Sequence, residues 1–277
     1  MNTDAAPPEP RETTPRAAIE CVNVLGVGIS ALNLDSAMGE IAAALEQRKK
    51  GYVCVTGVHG VMEAQADERF RGILNRAWLN TPDGMPMVWV GRWRGFRSMR
   101  RVYGPDLMLL VCEFTSKRNF THFLYGGADG VAPELKRRLE EKFPGLKIAG
   151  TWTPPFRPLE AAEEAELVRT INALKPDILW VGLSTPKQEK FMAQFASRLE
   201  VTLMFGVGAA VDFHAGRVPQ APRWMQRSGL EWFYRLCREP RRLWRRYFSN
   251  NPRFAFRIAG QLLGLKKYSL EPKSTEL

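Results

Sequence analysis

Between residues 50 and 213 the chain alternates short apolar runs with longer segments whose apolar residues recur every three or four positions. "YVCVTG", "HFLYGG", "KIAGTW", "DILWVGLS" and "VTLMFGVGAAVDF" read as strands, the last with a Gly-rich exit, and "WLNTPDGM" as a short strand broken at Pro82. "HGVMEAQADERFRGILNRA", "GVAPELKRRLEEKFPG", "EAAEEAELVRTINALKP" and "PKQEKFMAQFASRL" read as helices, and "RVYGPDLMLLVCEFTSKR" opens another with Pro105 in its first turn. Strands that are apolar throughout bury both faces, and a parallel sheet with helical crossovers achieves that. The expected fold is α/β, a Rossmann-like, mainly parallel sheet flanked by helices. Upstream, "CVNVLGVGISAL" reads as one or two short strands around Gly26 and Gly28. "LDSAMGEIAAALEQRKKG" reads as a helix capped by Asp35 or Ser36.

Composition divides the chain. Residues 1–18 form a Pro-rich polar lead expected to be disordered. The α/β unit spans 19–216. From 217 to 268, thirteen Lys or Arg stand against Glu231 and Glu239, with Trp, Phe and Tyr interleaved at helical spacing. That segment is expected to be a basic helical appendage, with Leu236, Leu243, Trp244 and Phe248 sharing one broad face. Residues 269–277 are expected to fray. The formal net charge of +11 favours a polyanionic partner: nucleic acid, an anionic membrane or a phosphorylated substrate. No apolar run approaches the roughly 20 residues that span a bilayer, and the lead lacks the apolar core of a secretory signal. Cys21, Cys54, Cys112 and Cys237 are scattered, which argues against a zinc site or a disulfide framework. Three of them lie in apolar surroundings and are expected to be buried thiols, in keeping with a reducing cytoplasm.

In an open parallel sheet, ligands bind beyond the carboxyl ends of the strands. "TGVHG" (56–60), "TPDG" (81–84), "GGADG" (126–130), "STPKQE" (184–189) and "GVGAAVDF" (206–213) all fall there. Pro-Asp-Gly is turn chemistry, and a turn can also present Asp83 to a cleft. Gly126 and Gly127 either admit a phosphate or make a tight turn; the full dinucleotide fingerprint and the Walker pattern are both missing, which disfavours a nucleotide-dependent oxidoreductase. Lys187 or Gln188 either reaches a ligand or begins a solvated helix. Asp212 either caps the next segment or accepts from a ribose or base. Arg101, in "RRVYGPD", either stabilises a leaving diphosphate or is solvated within a basic run. Three histidines without HxxxH spacing make a metal site improbable, and no G-x-S-x-G elbow supports a serine triad. The basic, aromatic C-terminus fits a nucleic-acid arm, a bilayer-surface segment or a helix packed on the core.

Taken together and in this order, "TPDGMPMVW", "RVYGPDLM", "FLYGGADGVAPELKRRLEEKFPGLKIAGTW", "PDILWVGLSTPKQEKFM" and "FGVGAAVDFHAGRVPQAPRWMQRSGLEWFYRLCREPRRLWRRY" closely resemble the WecG/TagA/CpsF family of bacterial glycosyltransferases, from about Val24 to Phe248. The resemblance implies the Rossmann-like GT-E fold. It also implies an inverting transferase with no cofactor and no metal, moving a sugar from a UDP-sugar to an undecaprenyl-diphosphate-linked acceptor at the cytoplasmic face of the plasma membrane. Both N-acetylmannosamine-type and glucose- or glucuronic acid-type sugars fit, and the products feed cell-surface polysaccharides such as exopolysaccharide, capsule, teichoic acid or common antigen. By motif, Asp83 matches the catalytic base and Arg101 an arginine at the diphosphate. Gln188 matches a contact in the sugar pocket and Asp212 a nucleoside contact. Thr56 opens a stretch in which the family's usual Asn is missing and His59 stands close by. Arg235, Arg242 and Arg245 belong to the membrane-touching appendage. The expected partners are the UDP-sugar, the polyprenyl-diphosphate acceptor and an anionic membrane surface, with no nucleic acid and with a homo-oligomer left open. The rival is a basic nucleic-acid-binding α/β protein without transferase activity.

Overall fold

The computed structural model describes residues 19–270, apart from the Arg242 side chain; the lead 1–18 and residues 271–277 lie outside the described residues. The chain opens with an antiparallel hairpin, β1 (Cys21–Val24) and β2 (Val27–Ser30), followed by α1 (Leu34–Glu46). Then come β3 (Gly51–Thr56), α2 (Val58–Ala66), α3 (Glu68–Arg76), β4 (Leu79–Pro82), α4 (Met85–Trp93) and α5 (Gly104–Ser116). The second half runs β5 (Thr121–Gly126), α6 (Val131–Lys142), β6 (Lys147–Trp152), α7 (Ala161–Leu174), β7 (Ile178–Gly182), α8 (Lys187–Phe195) and β8 (Leu203–Gly206). Four helices finish it: α9 (Ala210–His214), α10 (Arg223–Ser228), α11 (Glu231–Arg238) and α12 (Pro240–Leu262).

The six longer-range strands form one parallel sheet in the order β4-β3-β8-β7-β5-β6. Alternate residues of each strand enter opposite cores, as the two-residue period of a strand requires. Tyr52, Cys54, Phe123, Tyr125, Leu179, Val181 and Met204 meet α2, α3, α7, α8 and the hairpin. Val53, Leu124, Ile178, Trp180, Leu203 and Phe205 meet α1, α5, α6 and α9. The arrangement is the expected α/β, Rossmann-like one.

Four local details differ from the sequence reading. The cap of α1 is Asn33, whose side chain accepts from Ser36 N while the Ser36 hydroxyl accepts from Asn33 N. The single helix expected over residues 59–77 is two, because Asp67 is extended (φ −130°) and its carboxylate caps Phe70 N at 3.0 Å. The strand read over 201–213 ends at Gly206, and Ala210–His214 turns helical. Of the cysteines, Cys54 and Cys112 are buried, Cys21 is half-buried and Cys237 is exposed, so two rather than three are enclosed.

The C-terminal segment is helical but not a single peripheral arm. Glu239 and Pro240 break it, so Leu236 and Leu243 lie on different helices; Leu243 is buried while Trp244 and Phe248 face outward. The second half of α12 belongs to the core: Phe254 and Ile258 are buried with the hairpin residues. Gln261 accepts from Leu25 N at 2.8 Å and donates to Asn23 O at 2.9 Å. Asn23 also reaches Tyr268 O, and Leu270 lies over Gly28, so the first residues of the tail expected to fray are pinned to β1 and β2.

One buried polar chain links strand to helix. Trp180 Nε1 donates to His122 Nδ1 at 2.9 Å, which leaves the His122 Nε2 proton for Thr115 Oγ1 at 2.8 Å, and Thr115 donates onward to Val111 O. Burial lowers the His122 pKa from 6.5 to about 3, and His59 falls to about 4. Both histidines are neutral in the fold and gain a proton on unfolding in acid. Their contribution is therefore complete above about pH 6.5 and is lost as pH falls toward the folded values, at up to about 1.4 kcal/mol per pH unit for each group. Urea denaturation at about pH 7.5, 6 and 5 is expected to show falling stability, and His122→Gln to flatten the fall.

Candidate active site

Asp83 follows β4 directly. Its backbone N–H donates to Thr56 O at 2.9 Å, extending the β3–β4 ladder by one bond, and Gly84 turns the chain away with φ +92°. No Cβ would fit at Gly57, where it would lie 2.8 Å from Asp83 O. The bend therefore fixes the carboxylate at the carboxyl edge of the sheet. Arg101, in the loop before α5, puts Nε and Nη2 on one oxygen, Asp83 Oδ1, at 3.3 and 3.2 Å. Oδ2 accepts no hydrogen bond from the described residues, and the side chain is 31% exposed. Burial raises the Asp83 pKa, Arg101 pulls it back, Glu231 raises it and Arg235 lowers it.

Sequence reasoning missed Glu231, the first residue of α11. Its Oε2 lies 2.6 Å from Arg101 Nη2, and its Oε1 accepts from the Tyr103 hydroxyl at 3.0 Å. The Arg101 guanidinium stacks 3.9 Å from the Tyr103 ring. Both carboxylates raise the Arg101 pKa against burial, and burial with Glu231 pushes the Tyr103 hydroxyl up. The signal available in the sequence was one of two acids among thirteen cations, eight residues past the first arginine of "PRWMQR".

A second group of polar atoms adjoins Asp83 through Thr56. Thr56 Oγ1, Gln188 Oε1 and Glu189 Oε2 are buried without hydrogen-bond partners among the described residues. Glu189 Oε1 accepts from Thr185 Oγ1 at 2.8 Å and from Gln188 Nε2 at 3.1 Å, which orients the Gln188 amide. Burial raises the Glu189 pKa. Gln188 also lies against Gly206 and Gly208 at the exit of β8, where a larger residue would displace it. Buried polar atoms without partners are rare in folded proteins, and a cluster of three at strand ends suits a polar ligand.

The remaining expected site residues divide. His59, at the start of α2, accepts from Asn250 Nδ2 at 3.1 Å, so it fastens α12 over the cleft; burial first, then Arg246, keeps it neutral. Arg235 lies near enough to Asp83 to influence its titration. Arg245 is turned outward onto Trp244, and Arg246, which acts electrostatically on His59 and Glu189, takes the inward position. The helical phase places 246 rather than 245 on that side. The Arg242 side chain lies outside the described residues. Packing requires glycine at 126 and 127: a Cβ on Gly126 would lie 2.6 Å from Gly182 O, one on Gly127 2.8 Å from Val131, and both have positive φ. Asp212 sits in α9, and its carbonyl accepts from Arg217 N at 2.9 Å. Beside it lies an open cleft of about 610 Å³ bounded by Gly130, Glu134, Arg138, Gly216 and Arg217. Among the described residues, no group of three or more His, Cys, Asp or Glu could hold a metal ion, and no helix is long and apolar enough to cross a membrane.

A parallel sheet whose strand ends carry a half-buried carboxylate, a doubly paired arginine and buried polar atoms without hydrogen-bond partners among the described residues has the architecture of an α/β enzyme. The chain belongs to the glycosyl transferase WecG/TagA/CpsF family, whose sequence model matches residues 22–268, and it is a glycosyltransferase. The match extends past Phe248 and beyond the end of α12, so it includes the second half of that helix, which the structure packs into the core. The chain is 30% identical over 205 residues to an N-acetylglucosaminyldiphosphoundecaprenol N-acetyl-beta-D-mannosaminyltransferase of Bacillus spizizenii (strain ATCC 23059 / NRRL B-14472 / W23), covering 74% of this chain and 77% of that one. It is 28% identical over 207 residues to the protein of the same description from Bacillus subtilis (strain 168), covering 75% and 78%. Family membership sets aside the rival reading of a basic α/β protein without transferase activity.

Proposed function

We propose that the protein transfers a sugar from a UDP-sugar, with inversion and without a metal, to a sugar carried on undecaprenyl diphosphate. The observation that carries this is Asp83: one oxygen is held by Arg101 and the other is open at the strand end. Asp83 Oδ2 takes the proton of the acceptor hydroxyl as that oxygen attacks the anomeric carbon, and the bond from that carbon to the diphosphate breaks on the opposite face. The leaving diphosphate takes the bond's electrons, and Arg101, Arg235 and Arg246 supply positive charge beside it. Thr56, Gln188 and Glu189 meet hydroxyl or amide groups of a sugar, and Asp212 the nucleoside. The relatives' descriptions favour an N-acetylmannosamine-type donor and an N-acetylglucosamine-headed acceptor. A panel of UDP-sugars offered with a lipid-linked acceptor extract, read by mass spectrometry in EDTA, tests the reading. Failure of every UDP-sugar, or dependence on added metal, would overturn it.

The same reading places the enzyme on the inner face of the membrane. Trp244 and Phe248 of α12 are 48% and 66% exposed, Trp232 and Phe233 of α11 are half-open, and Trp89 of α4, 53% exposed, packs beside Gly229. With the surrounding arginines they form a surface suited to anionic headgroups. Trp244→Ser with Phe248→Ser is expected to cut the fraction floating with anionic liposomes at least about fivefold, and salt to weaken the wild type. Point changes are the cleaner test, because truncation after Gly216 would also strip Phe254 and Ile258 from the core.

A further inference from the structure

Glu231 lies outside the strand-end motifs, yet it has the shortest contact in the catalytic cluster, 2.6 Å to Arg101 Nη2. An arginine and a carboxylate left to themselves close as a fork on both oxygens. Here the fork is not closed: Nε and Nη2 both address Asp83 Oδ1, at 3.2 to 3.3 Å, and Nη2 is drawn toward the second carboxylate. Three contacts fix Arg101 in this skewed pose. Glu231 takes Nη2, the Tyr103 ring supports the guanidinium plane at 3.9 Å, and Gln226 O lies 3.5 Å from Nη1. Glu231 is fixed in turn by the Tyr103 hydroxyl at 3.0 Å. The Arg223–Asp106 pair, at 2.7 Å, ties α10 to α5 just upstream. The Glu231 side chain is 12% exposed, and a carboxylate that buried needs partners, which Arg101 and Tyr103 supply.

We propose that Glu231 is a positioning residue: from the C-terminal helices it draws Arg101 away from a closed bidentate pair with Asp83, and so keeps Asp83 Oδ2 open to the acceptor hydroxyl. The proposal rests on the reading of Asp83 as the base. It gives the C-terminal helices a part in catalysis besides contact with anions. The base is complete only when α11 is seated on Tyr103 and Arg101, so an enzyme whose appendage is displaced keeps Asp83 in a closed ion pair.

Charged and titratable groups face Asp83 from each packed element: Arg101 and Tyr103 from the loop before α5, Glu231 and Arg235 from α11, and Tyr247 from α12. Removing the Glu231 charge leaves the cations in excess. Arg101 then closes on Asp83, which becomes a weaker base and holds its proton less tightly.

The test is the pH profile of transfer for Glu231→Gln, Glu231→Asp and Tyr103→Phe, with Asp83→Asn alongside. Glu231→Gln is expected to lower kcat at least about tenfold while donor KM changes less than about threefold, and to move the acidic limb of kcat/KM to lower pH by about half a unit or more. Glu231→Asp should recover part of both effects. Tyr103→Phe, which frees Glu231 without changing a charge, should show a smaller shift in the same direction, and it serves if Glu231→Gln does not fold. A Glu231→Gln profile that superimposes on the wild type after scaling, or a loss confined to donor KM, would overturn the proposal. Asp83→Asn separates the two readings. If it abolishes the acidic limb while Glu231→Gln leaves the limb in place, Asp83 stands as base and Glu231 is only structural; if Asp83→Asn leaves activity and limb intact, the base assignment itself has failed.

Discussion

Asp83→Asn is expected to lower kcat by about a hundredfold to ten-thousandfold, the range that loss of a general base produces. Donor KM should stay within about threefold, because the substitution keeps the shape of the residue. Asn preserves what the turn needs: its backbone N–H still donates to Thr56 O, and Asn suits a turn between Pro82 and Gly84. It cannot accept the acceptor's proton, and its amide gives Arg101 a neutral partner in place of a charged one. A residue serving only the turn would tolerate Asn with little loss. Steady-state kinetics with a lipid-linked acceptor decides between the two, and retention of more than about a tenth of wild-type kcat would remove Asp83 from the base role. Thermal unfolding of the variant close to the wild type shows that a low rate reflects chemistry and not folding.

The sheet was legible because its residues obey two periods at once. Tyr52 and Cys54 face one core and Val53 the other, and the run "YVCVTG" shows the β-branched, uniformly apolar composition of a strand buried on both sides. Asp67 was not legible as a break, because the apolar period continues across it from Met62 to Phe70 and only its extended backbone reveals the cap. In the candidate site, Asp83, Thr56 and Gln188 were read from sequence as lying at the carboxyl ends of strands, and the structure places Thr56 at the end of β3, Asp83 directly after β4 and Gln188 at the start of the helix that follows β7. Gly126 and Gly127 were read from the same rule, and the structure adds a second reason for glycine there, close contact with Gly182 and Val131. Glu231, Arg246 and Asn250 were illegible for one reason: they come from helices more than a hundred residues after Arg101, or nearly two hundred after His59, and only the fold brings them to the strand ends. Periodicity places a residue on a helix face; it does not say which distant face will be opposite.

Arg101→Gln is the second variant with a large expected effect, and its direction differs from that of Glu231→Gln. Removing the guanidinium leaves Asp83 and Glu231 facing one another with no cation between them. The two carboxylates then titrate as a unit, and at least one holds its proton to higher pH. Sign follows from the contributions: Arg101 lowers the Asp83 pKa, so its loss moves the acidic limb of the rate profile upward. At neutral pH kcat is expected to fall about a hundredfold to a thousandfold, part of it from the base and part from the leaving diphosphate, where one lost preorganised donor costs a comparable factor. Part of the loss should return as pH is raised. Arg101→Lys restores the charge but not the fork, since one ammonium cannot reach Asp83 Oδ1, Glu231 Oε2 and Gln226 O while lying flat on Tyr103. It should bring the limb most of the way back yet leave kcat low. An arginine serving the diphosphate alone would give another pattern, with the limb in its wild-type place and the loss carried by donor KM. The pH profiles of Arg101→Gln and Glu231→Gln therefore shift in opposite directions only if both side chains act on Asp83, and profiles that shift together would separate the arginine from the base.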